Sequence, residues 1–176
     1  MRRKSLGKLS VRRKAGHPTQ GWLRAWPWTL PVALGRGSIK ANKREGDGGT
    51  PRGVFRPVRI WWRADRLPRP AAQLPVRRIG PGDGWCENPK HRRYNRPVEV
   101  AAGSTADRLA RADALYDVIV EIDHNTRPRV AGRGSAVFIH VARPGFAPTA
   151  GCVALERAAL LRLVARLGPR TRISIE

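Results

Sequence analysis

Cysteine is nearly missing from this 176-residue chain: Cys86 and Cys152 are its two thiols. Two cysteines give no disulfide framework, and neither stands in a C-x-x-C arrangement, so the spacing supports neither a zinc ribbon nor a thioredoxin-type motif. Acidic residues are also scarce, 13 against 35 Lys and Arg, for a net charge of +22. No apolar run approaches the roughly 18 residues of a membrane-spanning helix. The nearest is "AWPWTLPVALG", residues 25–35, behind a charged start at Arg2, Arg3 and Lys4. Pro27 and Pro31 interrupt it, and a polar stretch with His17, Thr19 and Gln20 precedes it, so a folded segment is expected there rather than a secretion signal. No internal repeat is visible, which argues against a solenoid.

The positive charge has two readings. One is an anionic partner: nucleic acid, anionic lipid, or a polymer rich in carboxylate and phosphate such as a cell wall. The other is compositional, because Arg, Ala, Gly, Pro and Val are all plentiful, as in a genome rich in G and C. The arginines are scattered along the sequence with no basic patch interleaved with aromatics, so dedicated nucleic-acid recognition has little support.

What is present is enough for one domain with its own core, about residues 8–175. Hydrophobic residues make up 41% of the chain. "KLSVRRK" and "GWLRAW" alternate as strands do, with "GHPT" as the turn between them. "WTLPVALG" reads as a strand broken at Pro31, and "VFRPVRIWW" as one with a bulge or edge position at Pro57. Residues 77–97 form the longest irregular stretch, and "DRLARAD" suggests a helical turn. "YDVIVEID" sets Val118, Val120 and Ile122 on one face of a half-buried strand, whereas "SAVFIHV" is apolar on both faces, as a central strand is. "LERAALLRLVARL" has helical spacing and ends at Gly168-Pro169; "TRISIE" closes the chain as a strand. Many strands and one clear helix predict a mostly-β, α+β domain.

The chemistry is concentrated in "FIHVARPGFAPTAGCVAL". A cysteine nucleophile needs help toward the thiolate, from a helix N-terminus, a cation or a histidine. Cys152 precedes the predicted helix by three residues, and Gly151 permits a tight turn that aims backbone amides at an oxyanion. His140 ends the central strand, where a loop can fold Cys152 back to it as nucleophile to base. Buried free cysteine and core histidine remain the alternative on these residues alone.

The segment continues into a recognisable pattern. "IHVARPGFAPTAGCVAL", together with the upstream "GDGGTPRGVF" carrying Thr50, Pro51, Gly53 and Phe55, resembles the YkuD-type L,D-transpeptidase catalytic domain. Both motifs occur in the family's order. The chain departs from the usual Ser-His-Gly-Cys by reading Thr149, Ala150, Gly151, Cys152, and Ala154 stands where that family has an arginine. The resemblance implies a β-sandwich or barrel with a helix packed on the sheet, needing neither metal nor organic cofactor. It implies that Cys152 is the nucleophile and His140 the general base and acid, with Gly151 in the oxyanion hole. Arg143 is then the replacement cation, and Thr149 belongs to the motif loop beside substrate. The substrates would be peptidoglycan stem peptides on an anionic wall polymer, with transfer to an amine or hydrolysis by water as the outcome. That chemistry implies the cell envelope or periplasm; the missing clear signal peptide leaves a cytoplasmic alternative.

Other residues carry open readings. His124 and Asn125 either enter the site, orienting His140, or form a polar turn. Asp83, Trp85, Cys86 and Tyr94 either line a substrate groove or pin the long loop. A non-catalytic basic binding protein and a nucleic-acid-binding protein remain the competing classes.

Overall fold

The computed structural model describes residues 4–101 and 107–176. Its strands are β1 (Lys8–Lys14), β2 (His17–Ala25), β3 (Trp28–Ala33), β4 (Ile39–Lys40), β5 (Thr50–Pro51), β6 (Gly53–Phe55), β7 (Pro57–Trp62) and β8 (Val76–Arg78). They continue as β9 (Asp83–Trp85), β10 (Pro97–Glu99), β11 (Asp107–Arg108), β12 (Val118–Ile122), β13 (Phe138–Val141), β14 (Val153–Leu155) and β15 (Arg172–Ile175). One helix, α1, spans Arg157–Val164. Ten strands form a curled sheet in the order β6-β15-β1-β2-β3-β14-β13-β12-β7-β8. A small sheet, β10-β9-β11, and the pair β4-β5 complete the fold, which is mostly β with one helix, as the patterning predicts.

Alternation along the strands divides the interior in two. One face gathers Leu9, Val11, Leu23, Val118, Val120 and Ile139 against Leu160, Leu163 and Val164 of α1. The other gathers Trp61, Ile119, Phe138 and Cys152 beneath Trp85 and Leu109 of the small sheet. Strand β12 is therefore buried on both faces, not half-buried. Its one charged residue, Glu121, survives there because Trp61 Nε1 donates to it at 2.8 Å and Arg59 lies 3.1 Å away.

Several local expectations change. The first turn is at Ala15-Gly16, and His17 already belongs to β2. Pro31 does not break β3: β2 pairs along its whole length on one side, while β14 meets it only at Ala33, so the missing N–H falls where no strand pairs. "VFRPVRIWW" splits at Arg56 into β6 and β7, which pair with different partners, β15 and β12. Residues 77–97 are less irregular than expected, since β9 lies within them, and "DRLARAD" starts as strand β11 instead of a helical turn. The apolar run of residues 25–35 contributes to the sheet: Ala25 ends β2, and Val32 and Ala33 of β3 are buried.

The helix begins later than the sequence suggests. Leu155 belongs to β14, and Glu156 caps α1, its carboxylate accepting from the amides of Ala158 and Ala159 at 3.0 Å each. An N-cap side chain satisfies amides that would otherwise be unpaired. Glu156→Ala is expected to lower unfolding free energy by about 1 kcal/mol, seen as a lower urea midpoint with an unchanged slope; an unchanged midpoint would remove this capping role.

Candidate active site

Strands β13 and β14 run parallel with His140 opposite Ala154. Side chains opposite each other in a sheet share a face, and so do residues two apart. Cys152, two residues before Ala154, therefore shares a face with His140. One inter-strand step and two residues of rise separate their Cα atoms by roughly 8 Å. Both side chains line one open cleft of ≈ 730 Å³, with Arg143, Thr149 and Gly151 also on its wall. Asn125, Tyr94 and Trp85 are not among the residues lining it.

The turn before Cys152 is fixed by Thr149. Its Oγ1 donates to Cys152 O at 2.7 Å and accepts from Gly151 N at 3.1 Å. Gly151 has φ +143°, and a Cβ there would lie 2.9 Å from Gly49 O. At Gly35 a Cβ would lie 2.1 Å from Gly48 O and 3.0 Å from Gly151 Cα. This close backbone stack explains the upstream motif: Thr50 is fully buried, and its Oγ1 accepts from Gly35 N at 2.8 Å, holding the residue that bridges to Thr149. Lys43 is buried beside the stack and donates to Asp47 Oδ1 at 2.7 Å and to Arg44 O at 2.6 Å. Burial works to raise the Asp47 carboxyl, but hydrogen bonds from Lys43, Arg44 and Gly49 outweigh it and hold it at about 2.

His140 is 5% exposed, and its Nδ1 lies 2.8 Å from Val141 O. A carbonyl only accepts, so Nδ1 carries the proton and Nε2 keeps its lone pair. The ring packs edge-on to Tyr116 at 5.4 Å. Burial lowers the imidazole pKa to about 4; the Val141 carbonyl opposes this, and Arg111 and Arg143 add to it.

Cys152 is 7% exposed. Its Sγ donates to Ala136 O at 3.2 Å and accepts from Phe138 N at 3.3 Å. Burial pushes the thiol up to about 12; the Phe138 amide and the Lys43 charge oppose this, while Asp107 and Glu87 reinforce it. The resting groups are thus a neutral thiol and a neutral imidazole on one face, with the thiol proton directed to Ala136 O rather than to His140. The expected activation by the α1 N-terminus is not found: Cys152 leads into β14, and Glu156 occupies the helix amides. Gly151 N–H, expected to face an oxyanion, is donated to Thr149 in this state.

The remaining expected residues have other work. His140 is oriented by Val141 O, not by His124, whose Nε2 lies 3.1 Å from Arg133 O. Asn125 takes φ +50° and binds Val130 and Gly134, closing its own loop. Tyr94 donates to Glu45 and accepts from Gly134 N at 3.1 Å. Trp85 Nε1 donates to Asn95 at 3.0 Å while its ring meets Phe138 edge-on at 4.9 Å. Cys86 is buried, and Asp83 holds Gly80 N and Arg77. These groups pin the long segment.

Sequence reasoning missed the acidic wall. Glu45, Glu87 and Asp107 all line the cleft of a strongly cationic protein, along with Arg36 and Arg111. Glu87 is exposed at the cleft mouth, yet partial desolvation by the cleft walls, with Asp107 and Glu45 nearby, raises its carboxyl to about 7. Tyr116 OH donates to Asp107 Oδ2 at 3.0 Å. These carboxylates come from distant segments, so no local motif announces them.

The sequence matches the family model for YkuD, the L,D-transpeptidase catalytic domain, over residues 7–175. The chain belongs to this family. Among curated proteins and among solved structures, none matches it. In this L,D-transpeptidase family chain, Ala154, where the resemblance expects an arginine, is buried in the β13–β14 ladder. The cations on the cleft wall come instead from Arg36, Lys43, Arg111 and Arg143.

A thiol raised to about 12 is almost fully protonated at neutral pH. Site-resolved alkylation of Cys152 by iodoacetamide is expected to be slow at pH 7 and to rise about tenfold per pH unit from there to about pH 11. A plateau reached near neutral pH would mean a preformed thiolate instead.

Proposed function

We propose that this protein performs cysteine-dependent acyl transfer on peptidoglycan stem peptides. The observation that carries the reading is the shared face of Cys152 and His140 at one open cleft, within a chain of this family. Cys152 Sγ attacks the amide carbonyl joining an L-centre to a D-centre. His140 Nε2 takes the thiol proton as the S–C bond forms and returns it to the leaving amine as the C–N bond breaks. A thioester remains on Cys152. An acceptor amine then attacks it, giving a new amide and restoring the thiol; water in the same place gives a shortened peptide. Gly151 N–H serves the oxyanion by turning from the Thr149 hydroxyl. Arg143 and Arg36, on the rim, suit the carboxylates of a stem peptide. No step requires a metal or organic cofactor. The site of action we propose is the cell envelope, where such polymers lie; no helix among the described residues is long and apolar enough to cross a membrane.

With purified disaccharide tetrapeptides, the wild-type protein is expected to form cross-linked dimers or trimmed monomers, and Cys152→Ala to lose at least a thousandfold in kcat/KM. A carbapenem should add one equivalent of its mass to wild type and none to Cys152→Ala. Equal turnover by Cys152→Ala would refute a nucleophilic Cys152. His140→Gln should retain substrate binding while kcat falls by roughly 10²–10⁴.

A further inference from the structure

In sequence the Lys and Arg of the first 44 residues look scattered; strand pairing brings four of them, Lys8, Arg12, Lys14 and Arg24, onto one face with Arg172. Buried and exposed residues alternate along much of β1, β2 and β3, and cross-strand partners match; β15 adds exposed Arg172 to the same face, while its Ser174 is buried. Leu9, Val11 and Leu23 point to the core. Lys8 pairs with Arg172, Ser10 with Arg24, and Arg12 with Trp22, and these form the outer face. Lys14 joins them, its Nζ 6.0 Å from the Trp22 ring centroid. The only carboxylate among the described residues of this face is Glu176, held by Arg12 at 2.6 Å. Five cations thus share one face with a partly exposed indole, Lys14 and Arg12 nearest to it.

Trp22 is 37% exposed, and it pairs with exposed Pro31 on β3. Trp26, in the turn between β2 and β3, is 88% exposed, and Val54, beside Ser174 on β6, is 63% exposed. Three of the four large exposed hydrophobic residues described therefore lie on this face or at its border. Exposed aromatics collected in one place mark a contact surface more than chance does.

We propose that the outer face of β15-β1-β2-β3 is a platform for a carboxylate-bearing glycan strand. The cations suit its carboxylates, and Trp22 and Trp26 offer flat apolar surface to the C–H faces of sugar rings. A second copy of this chain would bring like charges together. A nucleic acid is the rival occupant, since a basic sheet with exposed aromatics can stack bases. Here Trp22 is the one exposed ring on the described strands of the face, short of the two or three successive rings such stacking uses, and the 30-mer competitor below tests it. The platform also sits within reach of the cleft. Pro31 is five residues from Arg36 on the cleft wall, at most about 18 Å of extended chain. In the proposed function this grip holds the polymer whose stem peptides enter the site. The inference rests on that reading for its biological purpose, though not for the binding itself.

The test is co-sedimentation of the full-length protein with purified peptidoglycan sacculi, with a thymidine 30-mer and vesicles containing anionic lipid as competitors. Trp22→Ala/Arg24→Gln is expected to weaken sacculus binding at least tenfold while turnover of a soluble disaccharide tetrapeptide stays within twofold. Arg92→Gln/Arg162→Gln, which removes more charge from elsewhere, should bind as wild type does. Loss of binding in both double variants would make net charge the cause and overturn the platform. So would wild-type binding by the Trp22/Arg24 variant, or competition by the 30-mer or the vesicles at concentrations below those of sacculi. Cys152→Ala should keep full binding; if turnover fails in every variant but binding follows Trp22 and Arg24, the acyl-transfer reading falls and the platform stands.

Discussion

The parallel pairing of β13 with β14 is the constraint from which the site follows. Parallel neighbours need a connection that returns the chain to the starting end, commonly a dozen residues or more with a helix. Here only residues 142–152 make that return, with a single short 3-10 turn at Pro144–Phe146. So short a crossover cannot carry a packed helix. It forms a wall instead, and Arg143, Ala147, Pro148 and Thr149 stand along the cleft. The same pairing fixes which residues meet. Once His140 is opposite Ala154, side-chain parity brings Cys152 to the same face, and Val153 to the other.

The glycine stack is the second half of this constraint. Gly35, Gly48, Gly49 and Gly151 approach more closely than any side chain allows, and Thr50 bonds Gly35 from beneath. The two motifs that stand about a hundred residues apart in sequence are thus two layers of one turn. A substitution in the upstream motif would be felt at Cys152 without touching it, because the backbone between them has no slack.

Much of this was legible in sequence because it depends on long-period patterning. β1, β2, β12, β13, α1 and β15 were each visible from alternation or helical spacing, and the nearness of Cys152 to the end of β13 from order and neighbours. What failed to read out has physical causes. Strands β9, β10 and β11 have two or three residues each, too few to show a period. Tyr94 and Trp85 look like groove residues because they are large and amphipathic, yet their polar atoms are satisfied inside by Glu45, Gly134 and Asn95. The helix starts at Arg157 rather than near Leu155 or Glu156, because Leu155 continues β14 and Glu156 is the cap; Cys152 therefore stands at a strand entrance and one expected source of activation is absent. The acidic wall and the cationic sheet face could not be seen at all, since both are assembled by strand pairing from separated segments.

That relocation changes how Cys152 would work as the proposed nucleophile. A thiolate–imidazolium pair formed in advance would be two charges in a desolvated site, with Asp107 and Glu87 set against the anion. The protein holds the neutral pair, with the thiol on Ala136 O and the imidazole on Val141 O. In the proposed acyl transfer, charge would then appear only as sulfur meets a carbonyl and the proton moves to Nε2, when the negative charge passes from sulfur to the carbonyl oxygen. Donors that act at that moment lower the barrier without stabilising the resting enzyme. Gly151 N–H is suited to this because its present partner is a hydroxyl, a neutral acceptor that an oxyanion outcompetes: hydrogen bonds to ionised acceptors are about twice as strong as neutral ones. A buried, protonated cysteine is therefore compatible with catalysis on the condition that deprotonation and attack occur together.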